Sequence, residues 1–233
     1  MNNIERVKLP SNGLLRNVPD EVVIRGMKGI ELSTLFSSFN EAAVEDIIKN
    51  VTDPSLDPDI LCDEDKKFIL HKTRVLTFGS PLDQTLRCPF CGKIHTYVLD
   101  YDNFETVYLD EEALLEEVTM PDGKVITKAI PTKLDWDAAH KHKEKRNLPD
   151  SYSYILLQAV RIGKVNGSKK SISELVDYLE NLPGKDLLYL VKKLDIKFGL
   201  NTTFTVECQS CHIDFTGGVG INADTFRDYD SSL

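Results

Sequence analysis

What this chain has little of narrows its chemistry. Positive charge is in short supply: 28 lysines and arginines face 37 aspartates and glutamates, for a formal net charge of −9. A protein so acidic has no overall basic footprint with which to neutralise a phosphate backbone. No apolar run approaches the roughly 20 residues that a membrane-spanning helix needs. The opening residues, Met1-Asn2-Asn3-Ile4-Glu5-Arg6, are polar and do not read as a secretory leader. There is no Gly-x-x-x-x-Gly-Lys phosphate loop, no Gly-x-Ser-x-Gly elbow, no His-Glu-x-x-His helix and no dinucleotide fingerprint. The five histidines are scattered or sit beside basic or cysteine-bearing segments. The expectation is a non-enzymatic cytosolic protein with neither a nucleic-acid nor a membrane partner.

Cysteine is also scarce, but its placement is ordered. Four of the five cysteines form two Cys-x-x-Cys pairs, Cys88-Pro89-Phe90-Cys91 and Cys208-Gln209-Ser210-Cys211, with 116 residues between Cys91 and Cys208. Two residues between thiols is the spacing at which one tight turn presents both sulfurs to a single tetrahedral ion. In a reducing compartment such pairs favour metal over disulfide. Each pair is flanked by β-prone residues: Thr85-Leu86-Arg87 and Ile94-His95-Thr96-Tyr97-Val98-Leu99 around the first, Thr202 to Glu207 and Ile213-Asp214-Phe215 around the second. The spacing predicts one structural zinc per chain, bound by Cys88, Cys91, Cys208 and Cys211, with no open coordination position for catalysis. A thioredoxin-like redox role would need a helix after the motif, whereas Gly92 to Tyr97 reads as a strand. His95 and His212 are near enough to substitute as ligands, but four thiols make them unnecessary. Cys62 reads as a small buried side chain.

Around these pairs the chain predicts an α+β fold, mostly helical, with a small zinc-ribbon-like β element built from the two knuckles. It divides into residues 1–83, an N-terminal arm and helices; 84–132, the first knuckle and a hairpin; 133–200, helices; and 201–233, the second knuckle and a tail. Together these form one compact unit closed by zinc. Apolar residues at three- and four-residue steps mark a helix over 29–51, interrupted near Ser38-Phe39-Asn40, where Asn40 resembles a fresh cap. A second helix opens at Asp63, whose acidic neighbours Glu64 and Asp65 suit a helix N-terminus without implying a cation site. A strand is expected over 104–109, a short helix over 111–117 and a hairpin around Pro121-Asp122-Gly123. Further helices are expected over 135–147, over 149–162, after the Ser171-Ile172-Ser173-Glu174 capping box, and over 187–199. The basic run His140 to Arg146 reads as a solvated helix face, with an acidic partner as its functional alternative.

The ordered features resemble a known family. They are Leu9-Pro10-Ser11-Asn12-Gly13-Leu14-Leu15, Val23-Ile24-Arg25-Gly26-Met27-Lys28-Gly29, the helix into Val51-Thr52-Asp53-Pro54, the helix ending Leu76-Thr77-Phe78-Gly79, and Cys88-Pro89-Phe90-Cys91-Gly92 with its C-terminal twin. Together they are similar to the baseplate hub subunits and hub assembly proteins of T4-type contractile-tailed bacteriophages. The chain departs from the family pattern where His212, in place of glycine, follows Cys211. The resemblance implies a phage protein made in the host cytoplasm, with a possible place in the tail baseplate of the virion, that builds the hub by binding other hub and tail proteins. The arm, the 141–146 run and the tail 228–233 are the candidate contact elements. Two other classes compete. A zinc-ribbon nucleic-acid module would surround its cysteines with cations, yet only Arg87 and Lys93 flank the first pair and none lies within five residues of the second. An enzyme with a structural zinc would draw its carboxylates from the helices.

Overall fold

The computed structural model describes residues 3–37, 40–221 and 223–226. Strand β1 (Ile4–Lys8) pairs antiparallel with β2 (Glu21–Arg25), with Ile4 opposite Arg25 and Lys8 opposite Glu21. The segment between them is a packed loop, not an open arm. Leu9, Pro10 and Ser11 are buried, the Ser11 amide donates to Asp65 Oδ1 at 2.9 Å, and the Leu109 amide donates to the Pro10 carbonyl at 2.8 Å. Asn12 and Gly13, at φ 59 and 69, turn the chain; asparagine and glycine tolerate this left-handed region best.

Helices α1 (Gly29–Ser37) and α2 (Glu41–Val51) are separate, as the Asn40 signal predicts: its side chain accepts the Ala43 amide at 2.9 Å. Ser38 and Phe39 lie outside the described residues. Strand β3 (Thr52–Asp53) adds to β2 and completes a three-stranded sheet. Helix α3 (Asp63–Phe78) opens with the predicted acidic turn and stops at Gly79. Leu9, Ile24, Leu35, Ile47, Ile48 and Ile69 close a core between this sheet and the helices, and Phe226, from the other end of the chain, is fully buried in it. Arg74, buried on α3, donates to the carbonyls of Gly79, Pro81 (2.7 Å) and Thr225 (3.3 Å). It thereby fastens the C-terminal segment to the helix end.

The chain then forms a long hairpin of β4 (Pro81–Arg87) and β5 (Ile94–Asp100). The strand expected over 104–109 contracts to β6 (Thr106–Val107), and the helix expected over 111–117 to α4 (Glu111–Leu115). The predicted hairpin is present as β7 (Glu117–Thr119) and β8 (Val125–Lys128). Helix α5 (Lys133–Arg146) starts at a Thr132/Asp135 capping box and ends at left-handed Asn147. Next comes α6 (Ser153–Ala159), which ends at Ala159 and not at the expected Ile162; Ile162 instead opens a strand, β9 (Ile162–Val165), paired with β8. Ile162 continues the apolar spacing of the preceding helix, so periodicity alone misleads at that residue. Gly163 is the physical reason for a strand. A Cβ there would stand 2.8 Å from both the Lys128 carbonyl and Thr127 Oγ1, so the close pairing needs glycine.

Helices α7 (Ile172–Glu180) and α8 (Gly184–Leu194) follow, the first with the predicted Ser171/Glu174 capping box. The predicted extension of α8 to Gly199 is also corrected. The helix ends at Leu194, and Gly199, at φ 102, begins β10 (Gly199–Leu200) against β6. Ile126, Ala139, Leu156, Val176, Leu179 and Leu190 form a second core among α5 to α8 and the β7–β8–β9 sheet. Lys133 links α5 to the N-terminal region, its Nζ 3.3 Å from Glu45 and 3.4 Å from Asp59. The chain closes with a hairpin of β11 (Thr203–Glu207) and β12 (Asp214–Gly218). Among the described residues helices outweigh strands, though by less than the mostly helical expectation.

Candidate metal centre

The two hairpin tips are built alike. In the first, the Cys88 amide donates to the Lys93 carbonyl at 2.8 Å and the Gly92 amide to the Cys88 carbonyl at 3.0 Å. In the second, Cys208 donates to Ile213 at 3.1 Å and His212 to Cys208 at 2.9 Å. Gly92 and His212 occupy equivalent places and both have positive φ, 73 and 57. The substitution of histidine for glycine therefore leaves the turn intact. The strain of a left-handed non-glycine residue is held by the surrounding ladder and by His212 Nδ1, 2.6 Å from Glu207 Oε1.

All four sulfurs of Cys88, Cys91, Cys208 and Cys211 lie within 4.8 Å of one another. The short contacts run between the hairpins: Cys88 to Cys211 at 3.7 Å and Cys91 to Cys208 at 3.6 Å. A disulfide would bring two sulfurs to about 2.05 Å. A tetrahedron of metal–sulfur bonds near 2.3 Å has edges of about 3.8 Å. The spacing suits four ligands around one ion, and the arrangement could hold a metal. Cys88 and Cys208 are buried, Cys211 is half-buried and Cys91 is exposed. The Ser210 amide points at Cys208 Sγ from 3.4 Å, a dipole that favours negative charge on sulfur.

Without a metal, the amide hydrogen bond at Cys211 is the largest influence on Cys208 and helps lower its pKa to about 6. Cys211 moves the other way, to about 12: the Ile213 amide pulls it down, but burial and the sulfurs of Cys208, Cys88 and Cys91 outweigh that pull. His95 and His212 are not in the cluster; His95 Nε2 is 3.0 Å from Ser210 Oγ. Cys62 is fully buried elsewhere, and burial, then the charge of Asp65, pushes its thiol far above the usual range.

Packing seats the two hairpins on each other. Tyr97 meets Phe215 edge-on at 6.2 Å, with Leu86 and Val206 beside the buried thiols. Gly217 leaves room for this packing: a Cβ there would stand 2.8 Å from Cζ of its cross-strand partner Phe204 and 3.5 Å from Leu86 Cδ1 of the other hairpin. Sequence reading passed over Gly217, although a Gly-Gly pair inside a β-prone run is a signal of close approach. It also missed Arg74 and Lys133, whose roles depend on partners far along the chain.

The expected contact elements fare unevenly. The arm is packed, and the tail 228–233 lies outside the described residues. The basic run is in part neutralised internally, with Lys143 2.6 Å from Asp150 and Arg146 2.8 Å from Asp177. Lys141 and Lys145 remain exposed. Among the described residues no helix is long and apolar enough to cross a membrane.

No curated protein matches the chain, and no solved structure does. A family model described as "T4 bacteriophage base plate protein" matches residues 1–217. That span takes in the second core, the first core apart from Ile221 and Phe226, and both cysteine hairpins almost to the end of β12. The chain therefore belongs to the T4 bacteriophage base plate protein family.

Proposed function

We propose that this protein is a structural or assembly component of the baseplate hub, working through contacts with other hub and tail proteins, and that Cys88, Cys91, Cys208 and Cys211 hold one structural zinc ion. The family supports the baseplate setting, and the convergence of four sulfurs from two distant hairpins carries the metal reading. Four thiols are a soft donor set that suits zinc, and a four-sulfur site leaves no position for a reacting water. In this reading the knuckles form a zinc-ribbon-like element. The segments 1–83, 84–132, 133–200 and 201–233 act as one unit closed by the metal, made in the host cytoplasm and contributing to the tail baseplate.

Metal analysis of purified protein tests the clasp: one zinc per chain is expected, and zero or two overturns it. A tagged chain expressed in infected cells tests the role. Tail proteins should co-purify; recovery of host polymerase or nucleic acid without them overturns the baseplate reading.

A further inference from the structure

The β7–β8 hairpin does more than pack. Its turn, with Asp122 and Lys124, faces α7 and the start of α8 across an open groove of about 760 Å³. That volume falls within the range of ligand-binding cavities, roughly 300–1,000 Å³. The floor is apolar, with buried Leu175 and Val165 next to half-buried Leu182. The rim is acidic, with four carboxylates against two lysines.

Three of those carboxylates are engaged within the chain. Asp122 pairs with Lys124 at 2.8 Å, Asp177 with Arg146 at 2.8 Å, and Glu174 caps α7 and reaches Lys170 at 3.4 Å. Asp186, half-buried in the first turn of α8, has no cation partner among the described residues. The groove also shows how it receives a cation. Lys124 Nζ sits 4.1 Å from the centre of the Tyr178 ring while bound to Asp122, combining an aromatic face with a carboxylate. The Tyr178 hydroxyl is shut off from solvent on the side of Asp122, with which it interacts. Burial first, then Asp122 and Asp186, raise its pKa to about 12.

An apolar floor under a rim of excess negative charge complements one kind of occupant. We propose that this groove docks a peptide segment of a partner protein in which a basic side chain lies between apolar ones, the base against Asp186 and the apolar groups over Leu175 and Leu182. The inference rests on the reading of the chain as a protein-binding baseplate component.

The test is an amide-resolved NMR titration of the full chain with two acetylated, amidated pentapeptides, Gly-Leu-Arg-Leu-Gly and Gly-Leu-Glu-Leu-Gly. The arginine peptide should shift the amides of Leu175, Tyr178, Leu182 and Asp186 saturably, and the glutamate peptide should not. Asp186→Asn should weaken the arginine peptide by roughly three- to fivefold, as loss of a partly exposed ion pair does, without changing the helical circular dichroism. No saturable response in the groove, an equal response to both peptides, or unaltered binding by Asp186→Asn overturns the inference. If the peptides fail while tail proteins still co-purify, the groove assignment falls and the baseplate reading stands. Peptide binding without tail proteins gives the reverse.

Discussion

Breaking the clasp should unfold the protein at a much lower temperature, by an amount that follows from chain length. A metal held by Cys88, Cys91, Cys208 and Cys211 ties together positions with 116 residues between the inner pair. In the loop-closure model a link across roughly 120 residues stabilises the fold by about 5 kcal/mol. For a chain of this size each kcal/mol moves the midpoint by roughly 2–4 °C, so full loss of the clasp should lower it by about 10–20 °C. If the ion is released on unfolding, stability should also climb by about 1.4 kcal/mol for each tenfold rise in free metal. The assay is thermal unfolding of wild type and Cys208→Ser, each with and without a strong chelator. Chelator should destabilise the wild type and leave Cys208→Ser, already low, unmoved. Adding Cys91→Ser to Cys208→Ser should then cost little, since residues sharing one site do not contribute additively. A Cys208→Ser protein that melts with the wild type, or singles whose losses simply add, would refute the reasoning.

Other outcomes follow from the same geometry. His71, 1% exposed with its ring tilted against Tyr101 at 4.4 Å, has its pKa lowered to about 4, mainly by burial. The unfolded chain therefore binds the extra proton between about pH 6.5 and 4, and stability falls as the pH drops through that window. Relative to His71→Phe, the wild type should lose up to about 3 kcal/mol across it, read by urea unfolding at pH 7.5 and 4.5. An unchanged difference between the two proteins would contradict a buried neutral imidazole. Gly217→Val forces a side chain into Phe204 and should cost roughly 1–3 kcal/mol, while making Cys88 and Cys208 react with thiol reagents in the native state. Phe226→Ala should cost about 3–5 kcal/mol, as expected for an aromatic fully inside a core, although it lies only seven residues from the end of the chain. A melting curve equal to wild type would show that the C-terminal segment does not belong to the N-terminal core.

Much of the fold was legible because its signals are local. Asn40, Ser171 and the Pro121-Asp122-Gly123 turn act on their own neighbours, and all three stand where the pattern puts them. The grouping of four cysteines was legible for a different reason: their spacing carries chemistry that few other arrangements use. What could not be read depends on distant partners. Ile162 fits the end of a helix until β8 is beside it, and Asp65 reads as an ordinary acidic first-turn residue until Ser11, 54 positions earlier, donates to it. The arm looked free because nothing within its own sequence reveals that Leu109 and Asp65 will bury it. No local pattern announces the groove beside Tyr178, whose walls come from a hairpin tip and two later helices.

The two cysteine hairpins also explain why this protein would use a metal. A two-stranded hairpin alone is marginal in water, and stability normally needs a third strand or a packed helix. Among the described residues β4–β5 and β11–β12 remain two-stranded. Their outward positions are exposed, including Ile94, Thr96 and Val98 on β5 and Thr203, Thr205 and Glu207 on β11. What they bury against each other near the tips is small: Cys88, Cys208 and Phe215, with Leu86, Tyr97 and Val206 partly covered. The N-terminal sheet has α3 and the β7–β8–β9 sheet has α6 to α8 to cover apolar faces; the bases of the cysteine hairpins share a small cluster with Val75 of α3, Tyr101 and Phe104, but toward their tips the hairpins have only one another. A metal bound at the four thiols would supply the cohesion that their apolar area does not. It would also fix two exposed strand faces in one orientation, as the proposed role in protein contacts requires. The prediction is a hierarchy on metal removal. Amides of β4, β5, β11 and β12 should lose hydrogen-exchange protection first, while those of α3 and α7 keep theirs. Uniform loss across the chain would mean that the ion supports the whole fold equally, and that the hairpins are not its specific dependants.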